Sequence, residues 1–220
     1  MDRSVGLSAV YGVHPRCTLY TISPGLSRGF VYAVRMETPR TGTRSAILRA
    51  ADDISSESGW RAVTMRAIAK RAGCSTMAAY RHFPSRDALL DELAEQYFAE
   101  LAGRMNRAIA RSRAKRATAA AARAYVRFAL EEPAAYTLLY GSSPEQPHPT
   151  EPRPCGTAIG AATAAAITRD ANRECSPMDD RVIVLWAGIH GLLALAAGPQ
   201  LPLPQREILR LAEQMVDLAI

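Results

Sequence analysis

The 220-residue chain has only four cysteines and four histidines, and none of them has the spacing that a disulfide or metal site requires. The cysteines lie at positions 17, 74, 155 and 175, with no C-x-x-C pair and no paired histidine spacing. The sequence therefore predicts neither a disulfide framework nor a zinc site, and the cysteine usage fits a reducing cytoplasm. We expect no cofactor.

Motifs of catalysis are also lacking. The four histidines belong to no H-E-x-x-H segment, and the chain has no nucleophile elbow and no glycine-rich phosphate loop. Nothing in the sequence nominates a nucleophile, so we predict that the protein is not an enzyme. A helical enzyme with dispersed catalytic residues remains the least favoured alternative.

Long hydrophobic runs are missing as well. The longest apolar stretch, residues 182–197, has 16 residues and contains His190, whereas a helix needs about 20 residues to span a bilayer. Prolines and arginines interrupt the amino-terminal segment, so it does not have the pattern of a signal peptide. The sequence predicts a cytoplasmic protein with no membrane partner.

The positive charge is concentrated in one part of the chain. The formal net charge is +6 and the pI is about 9.4. Residues 40–86 hold nine basic and three acidic residues, whereas residues 87–220 hold 14 basic and 16 acidic residues. A basic module therefore precedes a slightly acidic body, which indicates that the module has an anionic partner.

The first residues of the chain differ in pattern from the helical sequence that follows them. Residues 1–35 show no helical or strand periodicity and are rich in glycine, serine and proline. We expect residues 1–39 to be a poorly ordered extension, which a start codon called upstream of Met36 would explain. A DNA-binding or partner-binding tail is the alternative.

The rest of the chain is predicted to be all-α, because apolar residues recur at helical spacing and no alternating strand pattern occurs. Proline-rich residues 141–156 are predicted to form an exposed loop. Residues 40–88 are predicted to form a domain of three helices, and residues 89–220 a larger helical domain. The expected helices cover about 43–57, 65–72, 76–83, 86–111, 117–131, 133–140, 157–173, 178–197 and 204–219.

The strongest motif is a helix-turn-helix over Thr64–Phe83, with Gly73 in its tight turn. Thr64, Ser75 and Ser85 are good amino-terminal caps for their helices. The apolar residues that can pack inward are Ile68, Ala69, Ala79 and Phe83, together with Trp60 and Val63. Hydroxyls and cationic donors on the outward face suit phosphate oxygens and base edges. A plain helical hairpin with a solvated basic face is the alternative.

This segment resembles the DNA-binding domain of TetR/AcrR-type bacterial transcriptional regulators. The resemblance is carried by T-x-R-x-I-A-x-R-A-G-C-S-x-x-x-x-Y-R-H-F-P-S-R-D-A-L-L, residues 64–90. It implies an all-helical homodimer with a three-helix DNA reader and a ligand-binding body. Arg86 stands where the family usually has lysine, and Ala78-Ala79 replaces the usual Thr-Leu. The expected DNA-binding residues are Arg44, Thr64, Arg66, Ser75, Thr76, Met77, Tyr80, Arg81, His82 and Arg86.

Within that set the resemblance implies two roles. Arg66, Thr76 and Met77 would face bases or nearby phosphates. Tyr80, His82 and Arg86 would hold the DNA backbone. A double-stranded, palindromic operator is the expected target.

A second resemblance lies in the carboxy-terminal half. E-P-A-A-Y-T-L-L-Y-G at 132–141 and W-A-G-I-H-G-L-L-A-L at 186–195 are similar to the TetR subgroup named for its Trp-His-Gly signature. The resemblance puts Trp186 and His190 on the wall of an effector cavity, and a core or interface histidine is the alternative. The same choice between cavity lining and core applies to the aromatic residues at helical spacing, Tyr125, Phe128, Tyr136 and Tyr140. The full expected effector set is Tyr97, Phe128, Tyr136, Tyr140, Trp186 and His190.

The last two helices are expected to form a homodimer interface. The helix at 178–197 is apolar around most of its circumference, more than one intramolecular face can cover. A small, largely apolar effector is expected to bind between the helices of residues 95–195 and release the DNA, with the helix that starts at Ser85 as the lever. An architectural DNA-binding protein without an effector is the main alternative.

Overall fold

The computed structural model describes residues 42–141, 154–198 and 201–219, and these form an all-α fold. The predicted fold class is confirmed. The expected extension at 1–39 lies outside the described residues. The elements are α1 (Thr43–Ser58), one 3-10 turn (Trp60–Ala62), α2 (Met65–Arg71), α3 (Thr76–His82), α4 (Arg86–Arg111), α5 (Ala117–Glu131), α6 (Pro133–Tyr140), α7 (Pro154–Ala171), α8 (Asp180–Ala196) and α9 (Gln205–Ala219).

Two helix starts differ from the prediction by more than one residue. Helix α7 begins at Pro154, so the expected loop at 141–156 is wrong for its last three residues. Proline is compatible with the first helical position, because its missing N–H would have no partner there in any case. Helix α8 begins at Asp180 rather than 178, because the Asp179 carboxylate caps it by accepting the Arg181 N–H at 3.1 Å.

The short helices α2 and α3 owe their boundaries to local signals. The predicted caps are confirmed, because Thr64, Ser75 and Ser85 each accept a hydrogen bond from the backbone N–H three residues later. Gly73 has φ +70°, a left-handed conformation that a residue with a side chain adopts only with strain. These signals fix α3 relative to α2 over a turn of only four residues.

Helices α1–α3, here called the reading head, pack on the first turns of α4. Their core is apolar and closely packed, with side chains from all four helices almost fully buried: Ile47, Ala51, Val63, Ile68, Ala69, Ala79, Phe83, Leu89 and Leu90. This confirms the inward face predicted for the helix-turn-helix. The remaining residues of α4, together with α5–α9, form a second layer of packed helices, here called the body.

Three polar contacts join the reading head to the body. The Tyr97 hydroxyl on α4 donates to the Asp52 carboxylate on α1. Arg44 on α1 forms an ion pair with Glu92 on α4. The third is the hydrogen bond from Trp60 Nε1 to the carbonyl oxygen of residue 134 on α6, at 2.8 Å. Both α4 and α6 are therefore tied to the reading head.

Helix α5 has an amino-terminal cap that comes from a distant helix. The Asp170 carboxylate on α7 accepts the backbone N–H groups of Ala117 at 2.9 Å and Thr118 at 2.7 Å. A negative charge at this end also interacts favourably with the helix dipole. The contact fixes where α5 starts relative to α7.

Replacing Asp170→Ala should therefore lower the free energy of unfolding by about 1–2 kcal/mol, because two N–H groups lose their acceptor. Urea denaturation followed by circular dichroism measures this. Glu174→Ala, at an exposed position beyond α7, is the matched control and should change stability by less than about 0.5 kcal/mol. Equal effects of the two substitutions would contradict the capping role.

Candidate functional site

The outward face of the helix-turn-helix is exposed as a unit. Eight of the ten predicted DNA-binding residues are exposed on it: Thr64, Arg66, Ser75, Thr76, Met77, Tyr80, Arg81 and His82. Met77 is the clearest case, with 74% of its surface exposed although it is apolar. An exposed methionine next to hydroxyls and cations offers both apolar contact for a thymine methyl group and donors for acceptor atoms.

The charge on this face is positive because its neighbours do not neutralise it. Arg71 pairs with Glu57 at 2.6 Å, which holds the pKa of that carboxyl below its usual range. Arg66, Lys70 and Arg81 form no ion pair within the parts of the chain that the structure describes. Three exposed cations therefore surround α3, which suits a polyanionic surface.

The other two predicted residues are engaged within the protein. Arg86 donates from Nε to the carbonyl of Val63 at 2.6 Å and from Nη2 to that of Trp60 at 2.8 Å. Arg44, paired with Glu92, also lies over the Phe83 ring at 4.5 Å. In the structure both guanidinium groups brace the reading head, and their contact with DNA stays a prediction.

A cluster of aromatic rings lies between α5, α6 and α8. Tyr136 and Tyr140 from α6 contact His190 from α8, with ring centroids 5.7 and 5.1 Å apart, and Trp186 stacks on His190 at 5.7 Å. The Tyr136 hydroxyl forms a 2.6 Å hydrogen bond with His190 Nδ1. Tyr125 from α5 completes the cluster, 6.0 Å from both tyrosines. The structure thus brings four of the six predicted effector residues together.

The remaining two of that set lie elsewhere. Tyr97 is buried at the junction with the reading head, where it bonds to Asp52. Phe128 is fully buried, with the Arg104 guanidinium 5.2 Å from its ring centre. Both have structural contacts that account for them, and neither joins the aromatic cluster.

A small cavity of about 20 Å³ adjoins the cluster, which is enough for about one water molecule. Only Trp186 of the predicted residues lines it. Tyr125 also lines it and is one of the aromatic residues for which the sequence left cavity lining and core open, whereas the remaining lining residues gave no signal, because alanine, threonine and aliphatic residues on a helix are usually core residues. The lining is Met105, Thr118, Ala121, Ala122, Tyr125, Thr163, Leu185, Trp186 and Ile189.

The cluster and cavity are uncharged at neutral pH. Burial raises the pKa of Tyr140 to about 12 and also raises the pKa values of Tyr125 and Tyr136, so the phenols stay protonated. Burial lowers the pKa of His190. No acidic or basic residue lines the cavity. This environment suits a neutral ligand, because burying an unpaired charge costs much free energy.

Helices α8 and α9 expose an apolar face. Ile183, Val184 and Leu195 on α8 are 43%, 64% and 50% exposed, and Leu218 on α9 is 89% exposed. At Gly188 of α8, a Cβ would lie 3.5 Å from the Met215 sulfur of α9, an ordinary contact distance. The two helices therefore pack closely and present a joint surface.

Among the described residues, none of the helices combines the length and hydrophobicity that a membrane span requires. Histidine, cysteine and acidic side chains in the same part of the chain form no group that could hold a metal ion.

Two family descriptions match the chain. "Bacterial regulatory proteins, tetR family" matches residues 47–93, and "Tetracyclin repressor-like, C-terminal domain" matches residues 118–219. The HTH-type transcriptional regulator Rv1816 of Mycobacterium tuberculosis is 32% identical over 171 residues. The match covers 62% of this chain and 73% of Rv1816.

Solved structures share the fold. A protein from Rhodococcus sp. RHA1, described as having unknown function, superposes with a TM-score of 0.66 and 29% identity, over 80% of this chain and 94% of its own. The repressor FadR of Thermus thermophilus, solved in complex with lauroyl-CoA, superposes with a TM-score of 0.56 and 20% identity. The match covers 80% of this chain and 94% of the FadR chain.

Proposed function

The chain belongs to the TetR family of bacterial regulatory proteins, and we propose that it is a dimeric repressor that a small apolar molecule releases from a palindromic operator. As a TetR-family helix-turn-helix regulator it binds DNA and is not an enzyme. The observation that carries the proposal is the exposed, positively charged face of α3 on a rigid reading head that is hydrogen-bonded to the body.

We further propose the two domains to be residues 40–88 and 89–220, and the body to be of the Trp-His-Gly subgroup. The signature residues Trp186, His190 and Gly191 support this, because the first two stack and His190 bonds to Tyr136. In this arrangement the signature organises the wall of the effector site rather than a catalytic centre.

For DNA binding, α3 would lie in the major groove. Thr76 and Met77 stand at its first turn and would reach base edges, with Arg66 beside them, while Tyr80, Arg81 and His82 would contact the phosphates. Thr64 and Ser75 accept capping hydrogen bonds and keep their hydroxyl protons for a phosphate oxygen. The base contacts and the phosphate contacts can be tested separately, each with its own substitution.

Replacing Arg81→Ala should weaken binding to all DNA sequences and reduce the slope of log affinity against log salt by about 1, because one phosphate contact is lost. Thr76→Val should instead change discrimination at one operator position by about 1 kcal/mol. Fluorescence anisotropy with a selected operator and random DNA measures both. Arg173→Ala, exposed but outside the reading head, is the control. A selected operator bound no better than random DNA would overturn the proposal.

The exposed faces of α8 and α9 would pair with those of a second copy across a two-fold axis. Four helices would then bury Ile183, Val184, Leu195 and Leu218, whose exposure is otherwise costly. A dimer also presents two copies of α3 to the two half-sites of a palindrome, which one copy cannot read.

The double substitution Val184→Glu/Leu195→Glu should convert the dimer to a monomer at micromolar concentration, because both charges would be buried at the interface. Sedimentation velocity measures the change. Met178→Glu is the matched control, since Met178 is equally exposed, at 68%, but lies ahead of α8. A wild-type protein that sediments as a monomer would refute the interface.

Release of DNA would pass through α6 as well as α4. Helix α6 carries Tyr136 and Tyr140 of the aromatic cluster, and its residue 134 accepts the hydrogen bond from Trp60. Trp60 in turn belongs to the turn whose carbonyls hold Arg86 at the start of α4. A ligand that displaces the cluster would thus shift the reading head. The lauroyl-CoA complex of Thermus FadR supports binding of a ligand with an apolar chain by analogy of fold alone, since the CoA part of that ligand is charged.

The variant Trp60→Phe keeps an aromatic side chain, smaller than the indole, and removes the N–H that donates to residue 134, so it should uncouple the ligand from the DNA. The probe is a neutral C8–C12 ketone, alcohol or ester that releases the wild-type protein from its operator. We expect that a several-fold higher concentration of this probe is needed to release the variant. Operator affinity without ligand should stay within about twofold. Thr137→Val, on the exposed side of α6, is the control. A large loss of ligand-free DNA binding would instead make this hydrogen bond structural.

A further inference from the structure

Two residues that line the cavity carry buried hydroxyl groups. Thr118 is 0% exposed and Tyr125 is 3% exposed, and both line the cavity. Neither Thr118 Oγ1 nor Tyr125 Oη has a partner in hydrogen-bond geometry among the described residues, and the Tyr125 hydroxyl only interacts electrostatically with the nearby phenols of Tyr136 and Tyr140. Buried polar groups are nearly always paired, since leaving one unpaired destabilises the fold, so each exception calls for an explanation.

The neighbouring polar groups do not share this property. Thr163 also lines the cavity, but its hydroxyl donates to the carbonyl of Ile159 at 2.9 Å. Tyr136 is paired with His190. The Thr118 backbone N–H is held by Asp170 at 2.7 Å, which fixes the start of α5 and with it the position of the Thr118 side chain. The two unpaired hydroxyls are therefore a local feature of this cavity.

The rest of the lining restricts what could pair with them. Met105, Ala121, Ala122, Leu185 and Ile189 are apolar, and the lining contains no charged side chain. A carboxylate or an ammonium group would be buried here without a counter-charge. A neutral oxygen is different, because a carbonyl has two lone pairs and can accept one hydrogen bond from each hydroxyl.

The cavity can enlarge through two of its walls. Trp186 lines it and is only half-buried in one copy of the chain, so this side chain has space to shift away from the cavity toward the face of α8 that the proposed dimer covers. Met105 is unbranched and adapts readily to a new neighbour. A molecule larger than the present 20 Å³ can thus enter with its oxygen toward α5.

We propose that this cavity binds an uncharged, mainly apolar molecule whose oxygen acceptor, as in a ketone, ester or amide, takes hydrogen bonds from Thr118 and Tyr125. The inference deepens the proposed function, because it rests on the cavity being the effector site. It adds the chemical class of the ligand and the two side chains that select it.

The test compares three probes of nearly equal shape on the full chain. Acetophenone has a carbonyl where α-methylstyrene has C=CH₂, and benzoate has a carboxylate. Binding is measured by NMR titration of the indole resonances. We expect acetophenone to bind at least about tenfold more tightly than α-methylstyrene, a difference of about 1.4 kcal/mol. Benzoate should bind more weakly than acetophenone.

Isosteric variants then assign the selectivity. Thr118→Val and Tyr125→Phe should each reduce the preference for acetophenone several-fold and leave α-methylstyrene binding within about twofold. Thr163→Val is the matched control and should retain the full preference, since its hydroxyl is already paired. The melting temperature of ligand-free Tyr125→Phe should be unchanged or higher, because the lost hydroxyl makes no hydrogen bond of good geometry within the described residues.

The possible failures are distinguishable. Equal wild-type affinity for acetophenone and α-methylstyrene would overturn the assignment of the hydroxyls while leaving the cavity as a binding site, with a water molecule as their partner. Tighter binding of benzoate would overturn the neutral class. Absence of binding by all three would overturn the effector site itself, and with it the proposed release mechanism. A lower melting temperature for both hydroxyl variants would make the two groups structural.

Discussion

Helix α4 is the constraint on which the rest of the structure depends. Its 26 residues span about 39 Å, and one continuous apolar face serves both ends. Leu89 and Leu90 complete the core of the reading head, whereas Met105, about four turns later, lines the cavity. A rigid rod that belongs to both cores cannot shift at one end without moving the other, so the cavity and the DNA-binding face are mechanically joined.

A second connection between the body and the reading head restricts how the reading head can move. Helix α4 alone would allow the reading head to pivot about its axis, but the hydrogen bond from Trp60 to residue 134 ties the turn before α2 to α6. Arg86 then holds the same turn to α4 through the carbonyls of Trp60 and Val63. Two helices of the body therefore meet at one short segment of the reading head. Such a junction can have two discrete arrangements, which a ligand could bias by binding one of them more tightly.

The sequence predicted well whatever depends on local chemistry. Caps at Thr64, Ser75 and Ser85, and the left-handed Gly73, follow from neighbouring residues alone, and the structure has them as expected. Side chains with distant partners were harder. Arg86 carries the same charge as the lysine usual at its position, but nothing near it in sequence reveals that Trp60 and Val63 occupy its donors. Most residues that line the cavity could not be predicted for another reason, because alanine and threonine at a helix interface have the same sequence pattern as ordinary core residues.

The abundance of alanine also explains how a modest ligand could have a large effect. Ala121 and Ala122 on α5, with Ala162 and Ala166 on α7, are almost fully buried, and their short side chains let helices pack with little space between them. Close-packed interiors resist local deformation, so a ligand much larger than the present cavity would have to separate helices as well as displace Trp186 and Met105. Because Met105 of α4 lines the cavity, the proposed mechanism would transmit that separation to the reading head. Linkage requires the reverse as well: DNA that holds the reading head in one position must weaken ligand binding by the same factor.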